Sequence, residues 1–237
     1  MRELEEPMSA EFDRYAEEYA KLVSHPLRDA MGTSFLHERK WILLQRFYRG
    51  LGIPTRDLNW LDVGCGKGEL LALGRPSFAQ VTGCDPSAGM LEGCGGLNVR
   101  TQESPEHLPF PDETFHLETA VCVYHHLELK ERLPVTREVV RTLKPGGIFG
   151  VIELNPYNPL TRYLVSRLPI DANAKLLTAP VTRQIMQEAG LEIVSMEYFL
   201  YLPERLYRRM SALESMLRWL PLGGQYAVFG RKRYSVA

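Results

Sequence analysis

Three clusters in this sequence have residue types and spacings suited to chemistry. The first runs Leu61-Asp62-Val63-Gly64-Cys65-Gly66-Lys67-Gly68-Glu69. An apolar stretch leads into three alternating glycines and then into helix-forming residues. Glycines let a backbone turn sharply and approach a ligand with no Cβ in between, and a helix start offers unpaired N–H groups. A dinucleotide fingerprint spaces its glycines Gly-x-Gly-x-x-Gly, and here Glu69 occupies the last of those positions. Asp62, two residues before the first glycine, is an awkward neighbour for a pyrophosphate and a good one for a cationic ligand. Asp85 ends the next apolar run, where a carboxylate can accept hydrogen bonds from both hydroxyls of a ribose.

The second cluster is Tyr124-His125-His126-Leu127. A histidine serves as general base where an acceptor must lose a proton. His125 is the preferred candidate and His126 the second. Tandem side chains point in different directions on most backbones, so at most one of the pair is expected to face a site. The third cluster is Glu153-Leu154-Asn155-Pro156-Tyr157-Asn158-Pro159-Leu160, with Tyr157 as its candidate catalytic residue. The cysteines Cys65, Cys84, Cys94 and Cys122 form no Cys-x-x-Cys pair and no cysteine–histidine spacing typical of zinc. No metal is expected, and the thiols read as reduced, which implies a cytoplasmic setting.

The elements that must position these clusters alternate. Apolar runs at Trp60–Val63, Val81–Cys84, Phe115–Val123 and Ile148–Leu154 predict strands, and Glu131–Leu143 predicts a helix between two of them. Lys144-Pro145-Gly146-Gly147 reads as the turn after that helix. Two more strands are expected at Glu192–Leu200 and Gln225–Arg231. The pattern is α/β: a doubly wound, mostly parallel seven-stranded sheet with N-terminal helices and helical insertions. Residues 1–237 read as a single domain, with a helical cap over 1–52, a core over 59–154, and insertions at 155–180 and 203–221 that shape the substrate side. In the cap, Phe12, Tyr15, Tyr19 and Leu22 recur at helical spacing, and a second helix is expected over Phe35–Tyr48. In the second insertion, Leu206, Met210, Leu213, Leu217 and Leu220 make one helical stripe, expected to pack on the core or to cap a substrate. Arg162, Arg167, Arg205, Arg208 and Arg209 read as solvated.

The run Leu61–Leu71, Cys84-Asp85-Pro86-Ser87, the stretch Leu108–Phe115 and Leu143–Gly147 resemble, in order and spacing, successive signatures of class I S-adenosylmethionine-dependent methyltransferases, which have a Rossmann-like fold. The resemblance implies S-adenosyl-L-methionine as cofactor and S-adenosyl-L-homocysteine as product. It places Asp62, Gly64, Cys65, Gly66 and Gly68 at the methionine end and Asp85 on the ribose. Pro86, Met90 and Val121 would also line the cofactor, and Gln102, Glu103 or Ser104 would frame the adenine. Tyr15 and Tyr19 would close over it. The paired histidines resemble those of small-molecule enzymes, including the quinone-biosynthesis type. The third cluster, with Leu222-Gly223-Gly224-Gln225-Tyr226, is similar to a bacterial subgroup of largely uncharacterised methyltransferases.

The 28 Lys and Arg against 29 Asp and Glu give a formal net charge of -1, which predicts no general attraction to nucleic acid. No apolar run reaches the roughly 18 residues that span a bilayer, so a soluble enzyme acting on an O, N or C atom of a small or lipid-linked metabolite is the leading expectation. A non-catalytic cofactor-binding adaptor or sensor is the alternative. A nicotinamide-dependent oxidoreductase fits less well, given the glycine spacing and the lack of a Tyr-x-x-x-Lys pair. Composition says nothing about oligomeric state.

Overall fold

Strands β1 (Asn59–Val63), β4 (Phe115–Val121) and β5 (Leu143–Leu154) are buried along most of their length because they lie in the middle of a sheet covered on both faces. A computed structural model describes Asp13, Ala16 and residues 33–234. Within it, β2 (Gln80–Asp85), β3 (Asn98–Thr101), β6 (Leu191–Phe199) and β7 (Gln225–Lys232) complete a seven-stranded sheet in the order β3-β2-β1-β4-β5-β7-β6. The pairs joining β3, β2, β1, β4 and β5 are parallel, whereas β7 runs antiparallel to both β5 and β6. Because Val63 is in register with Cys84 and Ala120, β1, β2 and β4 end along one edge. The strand order reverses beside β1, and crevices open at such points.

Helices α1 (Thr33–Leu51), α2 (Glu69–Gly74), α3 (Ala88–Glu92), α4 (Leu129–Thr142), α5 (Pro159–Val165), α6 (Ala179–Glu188) and α7 (Glu204–Leu217) surround the sheet. Helix α1 lays Leu43, Leu44 and Tyr48 onto Trp60, Phe78 and Phe229, with the Trp41 and Trp60 rings stacked at 6.1 Å. Helix α4 begins with a capping box between Glu128 and Glu131, which satisfies N–H groups otherwise left open at a helix start.

Four expectations need correction. Strand β3 was not foreseen, because it is short, mostly exposed and carries no apolar run. Strand β4 stops at Val121, since Cys122 takes a left-handed φ of 59°. Lys144–Gly147 is not a separate turn. Strand β5 already includes it, and the extra residues bulge out between the Phe115–Leu143 and Leu117–Ile148 pairings, with Gly146 supplying the left-handed φ of 78°. Finally, the stripe on α7 neither packs on the core nor lines the cavity described below: Leu206, Met210 and Leu213 are exposed. The buried residue of α7 is Glu214, ion-paired with Arg39 of α1 and accepting the N–H groups of Tyr201 and Leu202. A buried charge must be paired and hydrogen-bonded in this way, and this one docks α7 by its polar side. The helix positions of Phe12, Tyr15, Tyr19 and Leu22 lie outside the described residues.

Candidate active site

A cavity of about 510 Å³ opens at the carboxyl edge of β1, β2, β4 and β5. On its β1–β2 side the backbone follows the glycine spacing. Gly64, with a φ of 69°, leaves no room for a side chain, since a Cβ would stand 2.5 Å from Val123. Gly66, with a φ of 53°, has open space where its Cβ would be and borders the cavity. The loop is therefore a cradle whose free volume a Cβ at Gly66 would enter. Gly68 does not border the cavity. It caps α2 at a φ of 74° and packs against Leu97 and Cys94.

Two carboxylates face this cradle. Asp62 is fixed by a buried relay in which the Trp60 indole N–H donates to Thr119 (2.8 Å) and the Thr119 hydroxyl donates to Asp62 Oδ1 (2.5 Å). Burial lifts its pKa to about 7, against the Thr119 hydrogen bond and the charge of Lys40. Asp85 accepts the N–H of Ser87 on one oxygen and that of Gly66 on the other, each at 2.9 Å. Burial raises its pKa as well, and those two N–H groups oppose the rise. Asp85 thus holds the glycine loop against the end of β2 while keeping further lone pairs for a ligand. Asp13 touches the same region, accepting from the Ser87 hydroxyl (2.6 Å) and the Gly89 N–H (3.1 Å).

On the β4–β5–β7 side, Lys40 of α1, Cys122, His126 and Gln225 bring polar groups to the cavity. Lys40 Nζ lies 3.7 Å from Cys122 Sγ, and the Gln225 amide reaches the same sulfur at 3.5 Å. Gln225 is buried, and its Oε1 has no hydrogen-bond partner among the described residues. A buried acceptor left open costs about 1–3 kcal/mol, which a bound donor would relieve. The left-handed backbone at Cys122 is strain of the kind found at functional sites.

Both histidines border the cavity, contrary to the expectation for a tandem pair. Their ring centroids are 4.1 Å apart. His125 Nδ1 lies 2.6 Å from Glu153 Oε2, and its Nε2 is 3.5 Å from Asp171 Oδ1. Burial pulls the His125 pKa down, but the charge of Glu153 and contacts with Asp171 and Glu153 raise it to about 10. The free protein therefore holds His125 protonated near neutrality, and it is not a ready base in that state. Burial and the neighbouring His125 charge lower His126 to about 4. Burial pushes Glu153 upward, yet His125 and the Leu154 N–H outweigh this and hold its carboxyl below the ordinary value.

The third cluster and the 222–226 run interlock. The Asn155 amide donates to the carbonyls of Pro221 (3.0 Å) and Gly223 (2.7 Å), and the Asn158 amide donates to Leu222 (2.6 Å). The Thr161 hydroxyl donates to Gly224 at 2.9 Å. Gly223 must be glycine because a Cβ would stand 2.4 Å from the Phe199 carbonyl. These bonds fix the start of β7, and so Gln225, against the end of β5, and so Glu153.

Residues 61–151 match a family described as a methyltransferase domain. That stretch is the cradle, Asp85 and the strands that carry them. Residues 61–151 thus form a methyltransferase domain, set in a sheet of the class I methyltransferase fold. Among relatives, demethylmenaquinone methyltransferase of Chlamydia trachomatis is 45% identical over 125 residues, covering 48% of this chain and 52% of that protein. The tRNA (carboxymethyluridine(34)-5-O)-methyltransferase of Saccharomyces cerevisiae is 30% identical over 115 residues, 46% of this chain and 39% of that protein. The chain thus spans about half or less of the length of these curated relatives. A solved methyltransferase from Archaeoglobus fulgidus superimposes with a TM-score of 0.62 at 21% identity, covering 84% of this chain and all of that one, which shows the shared fold.

The cofactor of class I methyltransferases is S-adenosylmethionine, and the donor set fits it. Open space at Gly66, a buried carboxylate at Asp62 and spare acceptor capacity at Asp85 suit a cationic methionine end and a ribose. Cys65, Pro86, Met90 and Val121 also border the cavity. Gln102, Glu103 and Ser104 do not. The Gln102 amide instead donates to the carbonyls of Ser104 (3.0 Å) and Pro105 (3.2 Å), closing its own loop, and Glu103 is exposed. Tyr157 is 54% exposed and stands outside the cavity. The arginines at 162, 167, 205, 208 and 209 are exposed, with Arg208 paired to Glu204 and Glu38. Tyr19 lies outside the described residues. Sequence reasoning missed Lys40 and Asp171 as cavity residues and gave Glu153 no role. Glu153 opens the third motif, but nothing local marks the other two.

Proposed function

We propose that this chain transfers the methyl group of S-adenosylmethionine to a small or lipid-linked metabolite. The observation that carries the reading is one continuous cavity. It joins the Asp62–Gly66–Asp85 cradle to an apolar wall of Leu160, Leu164, Val165, Leu168 and Ile170 from the first insertion. When bound, the cofactor supplies a methyl group activated by a positively charged sulfur. Asp62 holds that positive end, Asp85 holds the ribose, and the insertion excludes water and aligns the acceptor, which is most of what an in-line displacement asks of a protein. Gln225 and Lys40 orient polar atoms of the acceptor.

A concave apolar wall suits a metabolite better than a polynucleotide, and the demethylmenaquinone relative supports a quinone-like class. Leu160 and Leu222 are exposed beside Asn158 at the cavity, as a lipid-linked substrate entering from its medium would need. No helix among the described residues is long and apolar enough to cross a membrane. The free cysteines fit a reducing, cytoplasmic setting. The test incubates the purified protein and its Asp85→Ala variant with cell extract and methyl-labelled cofactor. Label in the lipid or small-molecule fraction, lost with the variant, is expected. Label in the RNA fraction would overturn the substrate class, and no label despite cofactor binding would favour an adaptor.

A further inference from the structure

At the end of the cavity, His125, His126 and Asp171 stand together in a way that methyl transfer by itself does not require. We propose that these three side chains bind a divalent transition-metal cation of zinc-like ligand preference, with its open side facing the cavity. Asp171 Oδ1 lies 3.5 Å from His125 Nε2 and 3.7 Å from His126 Nε2, and one ligand atom from each residue falls within 4.8 Å of the other two. A tetrahedral ion with bonds of about 2.0–2.2 Å spaces its ligand atoms roughly 3.3–3.6 Å apart, so modest side-chain adjustment closes the site.

Three independent features hold the donors there. Glu153 takes the Nδ1 side of His125 at 2.6 Å, the carboxylate–histidine arrangement that orients a ligating imidazole and raises its basicity. The Lys175 N–H donates to the His125 carbonyl (2.7 Å), and Arg132 donates to the Lys175 carbonyl (2.6 Å), which pins the Asp171 loop against the histidines. Charge is compatible as well: two carboxylates, Glu153 and Asp171, are withdrawn from water at this spot, and a divalent cation that takes the place of the His125 proton balances both. Two nitrogens and one oxygen favour zinc, iron, cobalt or manganese over calcium or magnesium. Three protein ligands leave a position open, and all three residues border the cavity. Resting on the methyl-transfer reading, that position takes an oxygen of the acceptor, which narrows the substrate to one bearing a hydroxyl, phenol or carboxylate.

The test titrates chelator-treated full-length protein with Co²⁺, followed by visible absorption, and displaces the cobalt with Zn²⁺. One equivalent with the intense bands of a four- or five-coordinate ion is expected. His126→Gln and Asp171→Asn should each weaken binding by at least about tenfold to a hundredfold, and Glu153→Gln by about tenfold, with cofactor affinity retained as the measure of folding. X-ray absorption on the zinc-loaded wild-type protein, which needs no variant, should count two imidazole ligands. Absence of the cobalt bands, fewer than two imidazoles, or equal affinity in the His126→Gln, Asp171→Asn double variant overturns the site. Protein that binds cofactor but no cobalt fails this proposal alone. Protein that binds cobalt but methylates nothing fails the functional reading alone.

Discussion

The side of the cavity that we assign to the cofactor draws most of its groups from one stretch of chain, Asp62 to Met90, and much of that surface is backbone or carboxylate at the ends of adjacent parallel strands. The acceptor side gathers Lys40 from α1, Cys122 and His126 from beyond β4, Asp171 from the first insertion and Gln225 from β7. The first is a local motif held by the sheet. The second exists only once distant segments have met, and its polar groups are held by one another. The difference suggests that the cofactor side tolerates damage to the acceptor side, while the acceptor side depends on a few buried polar ties.

The largest effect should come from Glu153. Its carboxylate accepts from Tyr124 N–H, His125 and Leu154 N–H with no exposed surface. Breaking a buried pair by removing one charge costs about 3–5 kcal/mol, so Glu153→Gln should lower unfolding stability by about that amount in urea titrations, with cofactor affinity in the folded fraction unchanged. A loss below about 1 kcal/mol would mean that the pair carries no net charge worth protecting.

Asp85→Ala reverses the pattern. Two charge-assisted bonds to a ribose are worth about 3 kcal/mol, or roughly a hundredfold in cofactor affinity by calorimetry. The same change strands the Gly66 and Ser87 N–H groups, so a lower melting temperature should accompany it. A loss of affinity smaller than about threefold would place the ribose elsewhere.

Asn155→Ala tests the interlock. It removes donors from the Pro221 and Gly223 carbonyls in a fully buried position, at about 2 kcal/mol of stability. Because it frees the start of β7, the acceptor Michaelis constant should rise at least tenfold while cofactor affinity stays within about threefold. Equal damage to both would show that the two sides are not separable.

The same contrast explains what could be read from the sequence. The sheet and the cradle were legible because apolar runs, glycine spacing and strand-end aspartates each report on neighbours in the chain. The exposed edge strand β3 and the bulge at Lys144–Gly147 were not, since neither leaves a periodic apolar signal. The α7 stripe misled because its helix is docked by the Arg39–Glu214 ion pair rather than by its apolar face. Asp171 and Lys40 carry no local sign of function, for they reach the cavity through the packing of an insertion and of α1. Gln102 looked available for the adenine because its loop, which consumes both amide protons, cannot be seen in one dimension.

The smallest effect, and the finest test of the cofactor side, is a pH slope. Burial raises Asp62 from an ordinary 3.8 to about 7, so the free folded protein holds that carboxyl protonated where the unfolded chain does not. Its contribution to stability is therefore full below about pH 4 and is lost as pH rises through about 7. A cationic ligand prefers the ionised form, which gives cofactor binding the opposite sign. Affinity should climb with pH up to about 7 and level off above it. Below that point it should fall by up to about tenfold per pH unit, as binding must first remove a proton. Calorimetry in buffers of different ionisation enthalpy should show release of close to one proton per cofactor bound on the acid side and none on the alkaline side. Asp62→Asn should bind more weakly and with this slope removed. A wild-type affinity that is flat across pH 7 would mean that Asp62 is already ionised in the free protein, with Lys40 and Thr119 outweighing its burial.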